Sequence, residues 1–381
     1  MHLSNRSKAL KSKTDSDLVH NEHREKIEGF DFLRAVFTLV ILASHTRLVL
    51  LPKLWGMNFI SDILYANFVG LAVPCFFQVS LFIFILKSEE TGWCYFLKNR
   101  LPKLIFLYFF WVTSKILFDI LLNLTTSSEL KSLSIRGKIE FFVSGGSSPF
   151  YFFFSLLFVT TLAAVLVNLF RSVEDSSVRL KLNYGLLIAS SGFMLFISMM
   201  NLVVGSNFGE NQIRLANTIL NVAQWDYNPL SFIPYIFTAT ITVHEFRREQ
   251  IKRNFLQKLK LYGMLILFLA FTLIDWSLFK DIFHHARVSL VFGSWLLLYL
   301  AILSTHKPSK TIRFLSNYSL GIYAFHLFFT HALFSSSFYS SSGLAKTLPG
   351  LDIVVEFFVA LVGSVALTLA FKRTSGLRRF V

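Results

Sequence analysis

The sequence predicts an all-α, polytopic membrane protein with about ten transmembrane helices and both termini in the cytoplasm. The first observation is composition: 54% of the 381 residues are hydrophobic and only 15% are charged, and the mean hydropathy is +0.57. These values exclude an ordinary soluble globular protein. The second observation is that apolar runs recur from end to end of the chain. Each is about 20 residues long, which is the length that crosses a bilayer as a helix.

Ten segments of the chain have this character. In order they cover roughly residues 30–50, 64–86, 101–122, 149–170, 183–204, 229–246, 260–279, 286–304, 317–335 and 350–371. The sixth is short and contains Pro229 and Pro234, so we expect it to be kinked or partly re-entrant.

The chain outside these segments is too polar and too short to fold as a soluble domain. The sequence therefore divides into a flexible basic cytoplasmic tail at 1–28, a transmembrane domain at 29–372, and a basic cytoplasmic C-terminal tail at 373–381. The two cysteines, Cys75 in a span and Cys94 in a cytoplasmic loop, predict neither a disulfide nor a metal site.

The net charge of +15 is explained by topology. If the N-terminus is cytoplasmic, the cytoplasmic segments hold 26 of the 37 Lys and Arg residues and the opposite side holds 9. Because an excess of loop Lys and Arg marks the cytoplasmic side, both termini are predicted to lie there. This distribution argues against nucleic acid as a partner and leaves anionic lipid or a phosphorylated cytosolic ligand open.

Arg34 and His45 both lie inside the first apolar run, FDFLRAVFTLVILASHTRLVL. Arg34 and His45 are eleven residues apart, almost three helical turns, so they share one helix face about 16 Å apart along the axis. Ionisable groups within membrane helices are costly and mark function more often than structure.

Further cations are expected at the cytoplasmic mouths of the helices. Arg100 and Lys103 are i,i+3 neighbours at the start of the third span, and Asp31 precedes Arg34 by one turn. Guanidinium groups grip phosphate oxygens through paired hydrogen bonds, so these cations fit a phosphorylated ligand. The alternative is that Arg100 and Lys103 only anchor their helix at the lipid headgroups, and that Asp31 only offsets the helix dipole.

Histidine chemistry is the second candidate feature. A neutral buried His45 fits a general base or an acyl-accepting nucleophile, although an interhelical hydrogen bond would also explain it. Tyr323 and His326 are i,i+3 neighbours near the membrane middle and form a weaker candidate pair.

Other ionisable residues favour structural roles. Lys115 and Asp119 are spaced i,i+4 and are expected to neutralise each other. Asp275 has no evident local partner and is a weak site candidate. His284 and His285 fall in a short loop on the non-cytoplasmic side, where we expect them to be solvated.

Several of these residues fall in recognisable motifs. The run EGFDFLRAVFTLVILASH places Asp31, Arg34 and His45 in the order acidic residue, Arg, ten residues, His. That order resembles the first-helix signature of the acyltransferase 3 family of integral-membrane acyltransferases. PCFFQVSLFIF resembles the family's second-helix FF-x-x-S-G-F motif, with Ser80 in place and Leu81 where Gly is usual.

Two later segments extend the resemblance. FLKNRLPKLIFLYFFW resembles the family's RL-x-R-I-x-P-x-Y pattern through Arg100, Lys103 and Tyr108, and departs from it by Lys for the second Arg and by Phe106 for Pro. NYSLGIYAFHLFF resembles its S-x-G-x-Y-x-x-H segment, which closes on His326. The resemblance covers residues 28 to about 335.

The resemblance implies a membrane-bound O-acyltransferase of a bacterial inner membrane. Such an enzyme moves an acyl group, commonly acetyl, from cytosolic acyl-CoA to a hydroxyl of a cell-surface glycan such as lipopolysaccharide O-antigen or capsule. Acyl-CoA is then a co-substrate, with no bound cofactor or metal expected, and membrane lipids are partners. The residues carried over are His45, Arg34 and Asp31 for catalysis, Arg34, Arg100 and Lys103 for acyl-CoA, and Ser80, Tyr108, Tyr323 and His326 for lining the site.

Two other functions remain open at this stage. A transporter or glycan exporter would use Arg34, His45 and Asp275 along a substrate or proton path, since intramembrane ionisable residues suit that class as well. The sequence shows no internal repeat, which argues mildly against it. An assembly factor with a degenerate site is the third possibility. The acceptor, the acyl chain length and the oligomeric state are not indicated.

Overall fold

The computed structural model describes residues 27–122, 135–146, 148–204, 217, 219–222, 225, 227–278, 284–330 and 350–381. Every element assigned in these ranges is a helix, so the predicted all-α class is confirmed. The predicted N-terminal tail, apart from its last two residues, lies outside the described residues.

The helices are numbered in chain order. They are α1 Glu28–His45, α2 Asn58–Thr91, α3 Trp93–Leu121, α4 Ile135–Val143, α5 Tyr151–Phe170, α6 Ser176–Val204, α7 Pro234–Arg247, α8 Phe255–Leu278, α9 Val288–Leu303, α10 Lys310–Phe329 and α11 Leu351–Arg373. Short 3-10 segments occur at Leu48–Trp55, Pro229–Phe232 and Arg378–Phe380.

Six helices in the described part of the chain are long and apolar enough to cross a membrane: α2, α3, α5, α6, α8 and α11. Helix α1 and the following 3-10 segment make a seventh if the pair, which bends by 55°, counts as one span. Each of the ten predicted segments overlaps a helix. The number of crossings and the orientation of the termini remain predictions.

The two shorter helices α7 and α9 are largely buried inside the bundle. Thr238 and Thr242 of α7 are fully buried; Thr238 accepts a 2.7 Å hydrogen bond from Gln78 of α2, and Thr242 accepts a 2.8 Å hydrogen bond from Trp295 of α9. By contrast, α8 exposes large apolar side chains such as Leu273 along its length. A helix shielded from lipid can carry polar groups, provided that neighbouring helices satisfy them.

The two prolines of the sixth predicted segment lie at the starts of elements. Pro229 begins a 3-10 segment and Pro234 begins α7. Proline fits the first helical positions because the amide it lacks would have no intrahelical acceptor there. The irregularity therefore falls before α7, and α7 itself is a helix of 14 residues.

The ends of several helices meet at one pole of the bundle, which we call the basic end. There α1 and α9 approach closely, since a Cβ on Gly29 would lie 2.1 Å from the carbonyl oxygen of Ala301. At the same end Arg247 of α7 forms a 2.8 Å ion pair with Glu89 of α2. The basic end is the one that the charge count predicts to be cytoplasmic.

The C-terminal residues fold back onto α3. Phe380 is buried, and its ring stacks on Phe110 at a centroid distance of 3.9 Å. The Phe380 carbonyl oxygen accepts a 3.2 Å hydrogen bond from Trp111 Nε1. The segment predicted as a basic C-terminal tail is thus attached to the helical domain through an aromatic residue.

Candidate functional site

Arg34 is held at a fixed place on α1 by a buried carboxylate. Its Nη2 lies 3.0 Å from Asp31 Oδ1, and its Nε donates to the Phe30 carbonyl oxygen at 3.3 Å. Asp31 is only 1% exposed and also accepts a 2.7 Å hydrogen bond from Ser316 of α10. The Arg34 side chain keeps 35% of its surface exposed, so its position is set while its charge stays available.

A cavity of about 250 Å³ opens beside Arg34. It lies between α1, α2, α3, α5 and α10, and we call it the donor cavity, after the acyl donor that the family resemblance leads us to expect. Its polar lining consists of Arg34, Ser80, Arg100, Lys103, Ser319 and Tyr323, and its apolar lining of Ile41, Phe76, Val79, Ile83, Leu104, Leu107, Phe152, Phe153, Leu156 and Leu320. No acidic residue lines it within the described ranges. Arg34 is paired with Asp31 behind the wall, whereas Arg100 and Lys103 have no carboxylate beside them among the described lining residues, so the cavity favours an anionic ligand.

Arg100 reaches the donor cavity from an irregular turn of α3. Residues Phe96–Arg100 form a π-helical segment, a feature that is frequent at functional sites. The Arg100 guanidinium donates to the Ser80 hydroxyl of α2. Its Nε is buried without a hydrogen-bond partner among the described residues. A buried donor of this kind is expensive unless a ligand or water satisfies it.

Tyr323 and His326 connect the donor cavity to His45. Tyr323 lines the cavity, donates to the Pro149 carbonyl oxygen, and has its ring centre 5.9 Å from that of His326. The His326 ring centre lies in turn 5.0 Å from that of His45. The sequence therefore predicted residues that the fold brings into one series, although it did not pair the two histidines.

The hydrogen bonds define the tautomer of His326. Its Nδ1 lies 2.6 Å from the Tyr323 carbonyl oxygen. Because a carbonyl oxygen only accepts, Nδ1 carries the proton, and in the neutral ring Nε2 is the basic nitrogen. His326 is 1% exposed, whereas His45 in the last turn of α1 is half-buried.

Arg34 and His45 share a face of α1, as predicted, but differ in their relation to the cavity. On α1 the lining runs from Arg34 to Ile41, and the described lining residues do not include His45 or His326. Ile41 precedes His45 by four residues, about 6 Å along the axis. The cavity thus ends about one helical turn short of the histidine pair.

Asp31 and Tyr108 support the cavity without lining it. Asp31 acts through Arg34, as described above. Tyr108 of α3 is buried and donates to the Phe142 carbonyl oxygen near the end of α4. In this arrangement Tyr108 attaches α4 to the bundle instead of facing the cavity.

Ser316 supports the site through Asp31, and its role was not predicted from the sequence. It shares the 3-4-3 spacing of Ser316, Ser319, Tyr323 and His326, which places four polar residues on one face of α10. That spacing is visible in the sequence and could have identified the residue. Its hydrogen bond to Asp31, however, could not be predicted from the sequence, because it depends on how α1 and α10 pack.

A second buried polar group lies at the far end of the bundle. The carboxylate of Asp275, for which the sequence indicated no partner, lies 3.5 Å from the Nε of Arg287, and both side chains are fully buried. Arg287 also donates to the Ala66 carbonyl oxygen at 2.7 Å and to Asn67 at 3.0 Å. This ion pair joins α2, α8 and α9 and gives Asp275 a structural role.

The expectation that His284 and His285 are solvated is wrong. His284 is only 6% exposed, and His285 lies 2.7 Å from the Tyr151 hydroxyl of α5. Burial, reinforced by the nearby positive charge of Arg287, lowers the pKa of His284 to about 3 and the pKa of His285 to about 4. Both imidazoles are therefore neutral at pH 7. Lys115 and Asp119 behave as predicted and form an ion pair at 2.6 Å.

The fold and the cavity define a helical membrane protein with a cationic, partly apolar pocket inside its bundle. A family model described as an acyltransferase domain matches residues 27–373. The chain therefore belongs to the acyltransferase 3 family of membrane acyltransferases. Comparisons with curated proteins and with solved structures found no significant match.

Proposed function

We propose that the protein is an O-acyltransferase of a bacterial inner membrane that uses cytosolic acyl-CoA. The acyl group is acetyl in the simplest case, and the acceptor is a hydroxyl of a cell-surface glycan such as lipopolysaccharide O-antigen or capsule. The observation that carries this proposal is the donor cavity: Arg34, Arg100 and Lys103 all line it, and Arg34 belongs to α1, the helix that ends at His45.

The cations account for recognition of the donor. Coenzyme A carries several phosphates on its nucleotide end, and guanidinium groups bind phosphate oxygens as paired donors. With the phosphates at Arg34, Arg100 and Lys103, the apolar wall formed by side chains such as Phe152 and Leu156 is left for the pantetheine arm. The arm then points along α1 towards the histidines.

The histidine pair accounts for the chemistry. In this proposal His45 takes the proton of the acceptor hydroxyl, and the oxygen forms a new bond to the thioester carbonyl carbon. The carbon–sulfur bond breaks, and coenzyme A leaves as a thiol with the proton from the imidazolium. His326, fixed by its Nδ1 bond to the Tyr323 carbonyl, positions the ring of His45. A covalent acyl-His45 relay is the variant of this scheme in which the ring nitrogen attacks first.

Surface-glycan analysis tests the proposal. Mass spectrometry of glycans from cells that carry the wild-type gene should show an ester-linked acyl group that is missing when the gene is deleted. His45→Ala should lower acylation by about 10²–10⁴-fold at equal membrane abundance, since this is the usual contribution of a general base. His306→Ala, which removes an exposed loop histidine, is the matched control and should leave acylation unchanged. Full acylation in His45→Ala cells would reject the assignment.

Ligand binding separates the enzyme from the transporter alternative. A ligand that binds only the folded state raises apparent stability, by about 2.7 kcal/mol at a hundredfold excess over Kd. Acetyl-CoA should therefore raise the melting temperature of the purified protein, and Arg100→Gln should reduce the rise. A protein that acetyl-CoA does not stabilise, but that moves sugars across vesicle membranes, would favour transport.

A further inference from the structure

A second cavity lies at the basic end, on the other side of the α2–α5 pair. Its volume is about 390 Å³, and it is formed by the ends of α2, α5, α6 and α7. It has no lining residue in common with the donor cavity. The volume lies in the range of small-molecule sites. We call it the arginine cavity, after Arg171, Arg179, Arg247 and Arg248 in its wall.

The charge of the arginine cavity is strongly unbalanced. Four guanidinium groups line it, and Glu89 is the only carboxylate among its described lining residues. Glu89 is already engaged, since it lies 2.8 Å from the Nε of Arg247. The remaining three arginines therefore have no carboxylate in the wall to neutralise them. Concentrated positive charge in a recess attracts anions.

Two of the arginines are fixed in place by neighbouring backbone and hydroxyl groups. Arg171 donates to the Ser88 carbonyl oxygen at 2.8 Å and to the Glu89 carbonyl oxygen at 3.0 Å. Arg248 donates to the Ser176 hydroxyl at the start of α6. Because these acceptors are neutral, they orient the two guanidinium groups and leave their positive charge uncompensated. The guanidinium groups are therefore positioned before a ligand binds.

Three lining residues of the arginine cavity hold buried polar atoms without partners among the described residues. Asn183 of α6 is only 4% exposed, and its Nδ2 donates to the Arg179 carbonyl oxygen at 2.8 Å. This bond fixes the orientation of the amide, because a carbonyl oxygen cannot donate. Asn183 Oδ1, Arg179 Nε and His244 Nε2 are buried without hydrogen-bond partners among the described residues. Such atoms are costly, and so many in one recess indicate a ligand.

We propose that the arginine cavity binds a phosphate-bearing ligand that also carries a hydroxyl or N–H donor. The phosphate oxygens would accept hydrogen bonds from Arg179 and from the oriented guanidinium groups of Arg171 and Arg248. The donor group would satisfy Asn183 Oδ1, which can only accept. A phospholipid headgroup and a soluble phosphate ester both have this chemistry. Such a ligand occupies a place separate from the donor cavity, so binding here does not depend on the proposed acyl transfer.

Binding measurements on purified protein test this inference and identify the source of the phosphate. Native mass spectrometry with added phosphatidylglycerol measures lipid retention, and thermal unfolding with glycerol 3-phosphate measures the soluble ligand. We expect the wild type to bind in at least one arm. Arg179→Gln should weaken binding at least tenfold, equivalent to about 1.4 kcal/mol. Asn183→Asp, an isosteric change that adds a negative charge, should also weaken binding at least tenfold. This second variant keeps the proposal testable if Arg179→Gln fails to fold.

Two controls locate the binding. Arg313→Gln removes an exposed arginine at the same end of the bundle, and Lys103→Gln removes a cation of the donor cavity. Neither should weaken binding of the probe that Arg179→Gln affects. Loss in the lipid arm alone assigns a headgroup, and loss in the soluble arm alone assigns a phosphate ester. No binding by the wild type in either arm, or equal losses in the controls and in Arg179→Gln, would overturn the proposal.

Discussion

Replacing Ser316 with alanine removes the hydroxyl that supports the Asp31–Arg34 pair from α10. The lost bond is 2.7 Å long and ends on a buried carboxylate. Hydrogen bonds to charged groups contribute about 1.5–3 kcal/mol, and every 1.4 kcal/mol is a factor of ten. Transmitted fully to donor binding, the change would raise the KM for acyl-CoA by about ten- to a hundredfold. The upper part of that range is a limit, because Arg34 keeps its bond to the Phe30 carbonyl oxygen.

The assay is initial-rate acyl transfer at varied acyl-CoA concentration, once a glycan acceptor has been identified by mass spectrometry. Since Ser316 acts through Arg34 and not on the reacting atoms, KM should rise while kcat stays within a few-fold. Ser190→Ala is the matched control, because within the described residues that hydroxyl donates to backbone oxygens of its own helix. An unchanged KM, or a fall in kcat alone, would refute the assignment of Ser316 as a positioning residue.

Three further outcomes follow from the structure. Lys103→Gln should raise the KM for acyl-CoA about tenfold in the same assay, and an unchanged KM would remove Lys103 from the donor site. Asp275→Asn should lower the free energy of unfolding by about 3 kcal/mol, because it leaves a buried guanidinium unpaired. The control Glu249→Gln, in an exposed ion pair, should change the free energy of unfolding by less than about 1 kcal/mol. Equal effects of the two variants would contradict the ion-pair account. The folded-state pKa values of His284 and His285 are depressed, so the unfolded chain binds protons first as the pH falls below about 6.5. The melting temperature should therefore drop from there towards pH 4, and it should drop less steeply in His285→Gln. Identical slopes in the two proteins would contradict the assignment of buried neutral histidines.

The positions of the helices followed from hydrophobic runs, but several of their ends did not. The ninth predicted segment illustrates the reason. It was predicted to start at 317, but α10 begins at Lys310, seven residues earlier, because Ser309 accepts a 3.2 Å hydrogen bond from the Ile312 amide. Likewise α6 begins at Ser176 behind an Asp175 cap. First turns that project beyond the apolar part of a helix are polar, so hydropathy alone does not detect them.

The first predicted segment, 30–50, extends past the end of the observed helix because hydropathy does not detect a turn of the backbone. Helix α1 ends at His45, and the chain turns at Arg47, whose φ is 61°, into a 3-10 segment that contains Pro52. The apolar residues after Arg47 kept the hydropathy high although the helix had ended. A backbone in the left-handed region is a local conformational choice that composition does not encode.

The site was predictable to the extent that it depends on spacing along one helix. Arg34 and His45 share a face, as regular helical geometry requires. Arg100 and Lys103 are close in sequence and line one cavity, although Arg100 belongs to a π-helical segment. The His45–His326 contact and the Asp275–Arg287 pair cross between helices. Their formation depends on packing angles and helix offsets, which a single sequence does not specify.

Cryo-electron microscopy of the purified protein with a non-hydrolysable acyl-CoA analogue tests the central claim most directly. We expect the phosphates of the analogue within about 4 Å of Arg34, Arg100 and Lys103, which is ion-pair distance. The acyl end should lie beyond Ile41, next to His45. A nucleotide density outside the donor cavity, or an acyl chain directed away from the histidine pair, would contradict the account.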